Sequence, residues 1–196
     1  MKSCIIFGAG DYDAQIPIKS TDQLVIAADA GYARCVESGF VPDYVIGDFD
    51  SLCKVPNLSN VIRLPVEKDV TDMDAAVALA LEKECKVLYL YGGMGGRPDH
   101  TMANYALIAR LSRQGLPAYL YGDGYTVTAV TDGALTLTGG RGETVSVFSW
   151  TDRSEGVTLR GLKYPLENAS LTSTFALGVS NSFTQESAEI WVRKGT

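Results

Sequence analysis

Two acidic segments and one glycine-rich segment carry most of the residues in this sequence that could do chemistry. Asp48 and Asp50 flank Phe49 in Gly47-Asp48-Phe49-Asp50-Ser51, directly after the apolar run 44–46. In an extended chain, positions two apart face the same side, roughly 6.6 Å from one another. Both carboxylates then reach one hard cation, and Mg²⁺ commonly takes one or two carboxylates, with water and phosphate oxygens completing its shell. An isolated Asp-x-Asp is equally what a solvated turn looks like. The second segment is Glu67-Lys68-Asp69-Val70-Thr71-Asp72-Met73-Asp74. Thr71 and Asp74 fit a capping box that opens a helix, and acids in a first turn complement the helix dipole. Capping leaves Lys68, Asp69 and Asp72 unexplained, and a carboxylate at that helix start suits metal ligation or acceptance of a hydroxyl proton. Asp29 is a third acid, closing the apolar run 24–28. Ligands of open α/β sheets bind outside the carboxyl ends of the strands, where all three acidic places are expected.

The glycine-rich segment is Gly92-Gly93-Met94-Gly95-Gly96-Arg97-Pro98-Asp99-His100. Glycines let a backbone approach phosphate closely and aim N–H groups at its oxygens, and a following helix start and Arg97 add positive potential. The segment lacks the Lys-Ser/Thr of a P-loop, and Pro98 stands where a G-x-G-x-x-G begun at Gly93 needs its last glycine. Gly8-Ala9-Gly10-Asp11-Tyr12-Asp13 fails the same fingerprint at Asp13, although Gly8 to Asp11 could line a nucleotide pocket. His100, the one histidine, sits in a helix start and reads as a structural hydrogen bonder. Asp99 can cap that helix or bind substrate.

These residues need elements to position them. Short β-type runs at 4–7, 24–27, 44–46, 61–64, 87–91 and 118–121 alternate with helical periodicity at 71–84 and 99–113, which predicts a parallel α/β sheet. After residue 123 the texture changes. Of the 15 threonines, 12 lie between Thr126 and Thr196, in runs at 126–131, 144–148, 156–159, 170–175 and 188–192 that predict antiparallel strands in a sandwich or barrel. The expected organisation is an α/β domain over 1–122 and an all-β sandwich over 123–196. Trp150, Phe183 and Trp191 are expected in the core of the second half.

The chain has 196 residues, 46% hydrophobic and 20% charged, and a net charge of −6. That balance gives neither a disorder signature nor a basic field for nucleic acid. An acidic protein handling a polyanion needs a metal ion. The apolar run near the N-terminus breaks at Gly8, far short of a membrane span. Cys4, Cys35, Cys53 and Cys85 are scattered singly, so no zinc site or disulfide frame is suggested, and a cytoplasmic setting is expected.

In order and spacing, Ala28-Asp29-Ala30-Gly31, the segments at 47–51, 67–72 and 92–100, and Asn104 resemble the thiamine pyrophosphokinase family. So do Gly156-Val157-Thr158-Leu159, Gly161-Leu162-Lys163-Tyr164-Pro165-Leu166 and Gly178-Val179-Ser180-Asn181 in the second half. Ala30 replaces a glycine usual in the family. The resemblance implies an N-terminal parallel-sheet α/β catalytic domain, a C-terminal β-sandwich that binds thiamine and dimerises, and a homodimer whose thiamine site lies between one subunit's catalytic domain and the partner's sandwich. It implies transfer of the diphosphate of ATP to thiamine with Mg²⁺. Asp48, Asp50 and Asp72 are then the metal ligands, and Asp50, Asp72 and Arg97 the catalytic groups. Asp29, Lys68, Thr71, Gly95, Gly96 and Arg97 surround the nucleotide, and Asp99, Ser180 and Asn181 meet thiamine. A metal-dependent nucleotide hydrolase and a non-catalytic thiamine or nucleotide module are the competing readings.

Overall fold

The computed structural model describes residues 1–12, 16, 22–49, 60–67, 69–122 and 124–196. Asp50 and Lys68, both expected in the site, lie outside the described residues.

The chain forms two compact units, Met1–Leu111 with Leu116–Thr128, and Ser112–Gly115 with Ala129–Thr196. The first holds a seven-stranded sheet. Its strands are β1 (Ser3–Phe7), β2 (Gln23–Ala28), β3 (Tyr44–Gly47), β4 (Val61–Arg63), β5 (Val87–Tyr91), β6 (Ala118–Gly122) and β7 (Tyr125–Val127), in spatial order β4-β3-β2-β1-β5-β6-β7. All pairings are parallel except β6 with β7. Strands covered on both faces read as unbroken apolar runs, and in β1 Cys4, Ile5, Ile6 and Phe7 are each fully buried.

The helices are α1 (Gly31–Glu37), α2 (Asp72–Glu82) and α3 (Pro98–Arg113). Thr71 caps α2 as expected: its backbone is extended, φ −74° and ψ 159°, and its hydroxyl accepts from the Asp74 N–H at 3.1 Å. The short α1 is absent from the helical periodicity of the sequence.

From β1 the strands run outward to β4 on one side, and β5 returns to the other side of β1. The β1/β5 boundary is therefore the point where strand order reverses, the usual ligand crevice of an open α/β sheet. Gly8 follows β1 there and Gly92 follows β5. Strand β7, expected among the antiparallel runs of the second half, instead pairs with β6 at the sheet edge.

The second unit is antiparallel throughout, with β8 (Ala134–Thr138), β9 (Thr144–Val147), β10 (Arg153–Arg160), β11 (Leu166–Thr172), β12 (Gly178–Ser182) and β13 (Ser187–Trp191). They make a four-stranded sheet, β11-β10-β13-β8, and a two-stranded one, β12-β9. Val157, Leu159, Leu162, Leu171, Phe183, Ala188 and Ile190 form its core. Phe183 is inside as expected. Trp150 and Trp191 are not, being 38% and 48% exposed. Trp191 alternates with inward Ile190 on β13, so its neighbour takes the core position.

Three cysteines, Cys4, Cys35 and Cys85, are free thiols with no solvent exposure. Among the described residues no helix is long and apolar enough to cross a membrane.

Candidate active site

The rim begins with Asp29 and Asp48, which leave the same end of adjacent parallel strands. The Asp29 N–H donates to Ile46 O at 2.8 Å, and a Cβ on Gly47 would stand 3.1 Å from the Asp29 Cα. Glycine at 47 thus lets the two strand ends close on each other. Asp29 is 7% exposed and adopts a left-handed backbone, φ 47°. Its Oδ1 is buried with no hydrogen-bond partner among the described residues. A carboxylate oxygen in that position lacks its compensating donor or cation.

The backbone is not extended at Phe49. β3 ends at Gly47, and Phe49 turns left-handed, φ 62°, to bury its ring in the core beneath the sheet, at 5% exposure. Core burial of the middle residue thus overrides the strand extension on which the same-side argument rested. Asp48 remains half-buried at the rim. Arg63, last residue of β4, carries its guanidinium 5.9 Å from the centroid of that ring, placing a cation on the rim that the sequence motifs did not single out. Its one signal was position, at the carboxyl end of a strand.

Asp72 is the first residue of α2, half-buried. The next residue, Met73, packs where a Cβ on Gly8 would stand, 2.6 Å from such an atom, and near Gly93. The start of α2 thereby lies at the β1/β5 boundary. Asp74 is engaged elsewhere, in an ion pair with Arg110 of α3.

The glycine segment is held by its carbonyls. Gly92 O accepts from the Gly10 N–H at 2.7 Å, Gly93 O from Asn104 Nδ2 at 2.7 Å, and Met94 O from the Asp11 N–H at 3.0 Å. The N–H groups of Gly8, Gly10 and Asp11 are consumed in this way or on Tyr91 O, so these three amides are not left for phosphate. By contrast, the N–H groups of Gly93, Met94, Gly95 and Gly96 have no acceptor among the described residues. Gly92, Gly95 and Gly96 all take positive φ, 65°, 81° and 62°. Successive unclaimed amides in such a backbone form an anion-binding concavity. Tyr12 closes the buried side, its hydroxyl donating to Gly8 O at 2.6 Å; burial pushes that hydroxyl's pKa upward.

Arg97 and Asp99 lie beside this loop, exposed and paired with each other. Arg97 Nη2 and Nε donate to the two Asp99 carboxylate oxygens at 2.6 and 3.2 Å, and the His100 N–H gives Asp99 a further bond at 3.0 Å. The Arg97 guanidinium holds the Asp99 carboxyl down to about 2. A guanidinium has five N–H groups, so Arg97 retains donors beyond those spent on Asp99.

In the second unit, Ser180 is exposed on β12 with φ 58°, its N–H donating to Ser146 Oγ. Asn181 is 3% exposed and committed to backbone: Oδ1 accepts from the Tyr164 and Ser182 N–H groups, both at 2.9 Å, and Nδ2 donates to Tyr164 O at 2.8 Å. Ser180 alone of this pair presents its side chain outward. Leu159, Tyr164, Leu166, Leu177, Gly178, Val179 and Asn181 line an apolar groove next to it.

Comparison with known proteins agrees with this arrangement. Residues 17–120 match the family model described as "Thiamin pyrophosphokinase, catalytic domain", and residues 134–196 match "Thiamin pyrophosphokinase, vitamin B1 binding domain". The chain belongs to the thiamin pyrophosphokinase family. A thiamine pyrophosphokinase of Bacillus subtilis (strain 168) is 26% identical over 179 residues, 88% of this chain and 84% of that one. The crystal structure of a thiamine pyrophosphokinase from Bacillus subtilis superposes with a TM-score of 0.87 at 27% identity, covering 99% of this chain and 95% of the other. The thiamin pyrophosphokinase from Candida albicans shares the fold at 14% identity, with a TM-score of 0.78 over 98% of this chain and 86% of that one. In thiamin pyrophosphokinase terms, the rim acids and glycine loop fall in the catalytic match, and Ser180 and Asn181 in the vitamin B1 match.

Proposed function

We propose that the chain transfers the diphosphate of ATP to the hydroxyl of thiamine, giving thiamine diphosphate and AMP, at the rim where β1 and β5 diverge. The observation that carries the reading is the glycine loop: four consecutive amides without acceptors among the described residues, at the sheet's reversal point, in a chain of this family.

Among the described residues no three His, Cys, Asp or Glu side chains gather as a metal cage. Mg²⁺ does not require one, since one or two carboxylates with water and substrate phosphate suffice. The rim offers oxygen donors only, and the buried, unpartnered Asp29 Oδ1 fits a site completed by a cation. Asp48 and Asp72, with Asp50, would hold the ion, and Asp29 would support it beside the nucleotide. Bound there, Mg²⁺ supplies charge neutralisation of the triphosphate, which an acidic protein otherwise repels.

The protein's own residues do the rest. The Gly93 to Gly96 amides and Arg97 bind phosphate oxygens and stabilise charge as the bond to the leaving AMP lengthens. The thiamine hydroxyl oxygen attacks the β-phosphorus in line, the β-phosphorus to bridging-oxygen bond breaks, and AMP departs with the electron pair. Asp72 accepts the hydroxyl proton. Lys68 and Thr71 lie on the nucleotide side. Asp99 meets thiamine directly, as does Ser180, whereas Asn181 serves by fixing Tyr164. The chain works as a homodimer in a reducing cytoplasm, which suits its three buried free thiols.

Product analysis tests the reaction. Incubation with ATP, Mg²⁺ and thiamine is expected to yield AMP and thiamine diphosphate in equal amounts, and no AMP without thiamine. Thiamine-independent AMP or phosphate release identifies a hydrolase instead. Light scattering after gel filtration checks the dimer; a mass near 21.0 kDa removes it.

A further inference from the structure

We infer that Asn104 is a positioning residue for diphosphate transfer, fixing from the buried face of α3 the peptide plane that aims the Met94 N–H of the glycine loop. The inference rests on the phosphate role of that loop proposed above. Asn104 is 5% exposed, on a helix whose other buried positions, Leu107, Ile108, Ala109 and Leu111, are apolar. Burying an amide among such neighbours is unfavourable unless it is hydrogen-bonded. Its Nδ2 donates to Gly93 O at 2.7 Å.

A trans peptide unit is planar, with its C=O and N–H pointing in opposite directions. The amide that grips Gly93 O therefore also sets the direction of the Met94 N–H, the second of the four without an acceptor. The flanking carbonyls, Gly92 O and Met94 O, are held by Gly10 and Asp11. Among the described residues Asn104 supplies the one hydrogen bond from a helix to this loop's backbone, and so ties the middle of the loop to a rigid element, where the Tyr105 hydroxyl also reaches the Met94 sulfur. Glycines at 92, 93, 95 and 96 leave the loop many backbone alternatives, so the flanking anchors and the buried Met94 side chain restrain its path, while the Asn104 bond acts directly on this peptide plane. Leucine at 104 would match its neighbours but leave Gly93 O without a donor.

The test compares Asn104→Asp with the unmodified chain, measuring KM for ATP, KM for thiamine, kcat and the melting temperature. Aspartate has the same shape but, ionised, cannot donate. The inference expects KM for ATP to rise, and kcat/KM for ATP to fall, about tenfold, the scale of one lost hydrogen bond, with KM for thiamine unchanged. It further expects the deficit, taken against the unmodified chain at the same pH, to shrink as pH falls and a protonated carboxyl regains a donor for Gly93 O. A residue of purely structural importance would lower the melting temperature and the active fraction while leaving both KM values and the pH profile alone, and that result overturns the inference. Should Asn104→Asp fail to fold, Asn104→Ala and Asn104→Ser give the same comparison of ATP against thiamine. If the unmodified chain makes no thiamine-dependent AMP, the underlying reading falls and takes the inference with it. If it is active and the variants keep its KM for ATP, the inference alone falls.

Discussion

Asp29 and Asp48 each end a strand at the same edge of the sheet, and the proposed chemistry needs their charge rather than their bulk. Asp48→Asn keeps the shape and removes the charge, so kcat should fall by about a hundredfold or more, as expected when several kcal/mol of charge stabilisation are lost. The melting temperature should stay within a few degrees. Turnover close to that of the unmodified chain in Mg²⁺ would remove Asp48 from the metal site. At the Arg97–Asp99 pair the argument concerns pH. Arg97 holds the Asp99 carboxyl at about 2, below its ordinary 3.8, so the pair is intact above that ordinary value and is lost as pH falls through about 2. In Arg97→Ala the carboxyl should titrate back near its ordinary value, which carbon-detected NMR of the Asp99 side chain reads directly; a midpoint still near 2 would assign the effect to other groups. Thr71 was legible in the sequence because capping is a local matter of four residues. Asn181 was legible as a candidate but not in its bonding, because its partner Tyr164 stands seventeen positions away. The place of Phe49 was not legible, since no local pattern says that a ring between two aspartates will turn into the core.

The glycine loop and the start of α2 make predictions that belong to elements. Gly95 and Gly96 both have positive φ, but a Cβ on Gly95 would run into the Asp11 carboxylate, whereas one on Gly96 meets nothing within 4 Å. Gly96→Ala should therefore carry only the left-handed strain, about 1–2 kcal/mol. Gly95→Ala should lose more and also raise KM for ATP, with urea denaturation and kinetics as the measurements. Equal effects at both positions would mean the contact with Asp11 is immaterial. Thr71→Ala removes a side-chain cap, for which denaturant midpoints should show a loss of about 1 kcal/mol. The parallel strands were readable because sheets buried on both faces write themselves as apolar runs. The seven-residue α1 was not, since much of what seats it is the approach of Gly31 to the Phe7 and Gly8 carbonyls, a contact invisible in periodicity. β7 looked like its threonine-rich neighbours, and only pairing with β6 reveals which sheet it joins.

At the scale of the molecule there are two compact units, each with a core of its own. Leu159→Ala, at a position 1% exposed in the second unit, should cost about 2–5 kcal/mol. Hydrogen exchange should then accelerate in β8 and in β10 to β13, while β1, β2 and β5 keep their protection. Loss of protection spread evenly over both units would show that they unfold as one. The first unit, meanwhile, carries its own clock. Cys4, Cys35 and Cys85 sit where no solvent reaches, so in a Cys53→Ser background an alkylating reagent can label the protein only as fast as the α/β sheet comes apart, and the label's arrival times that opening without any probe having been added.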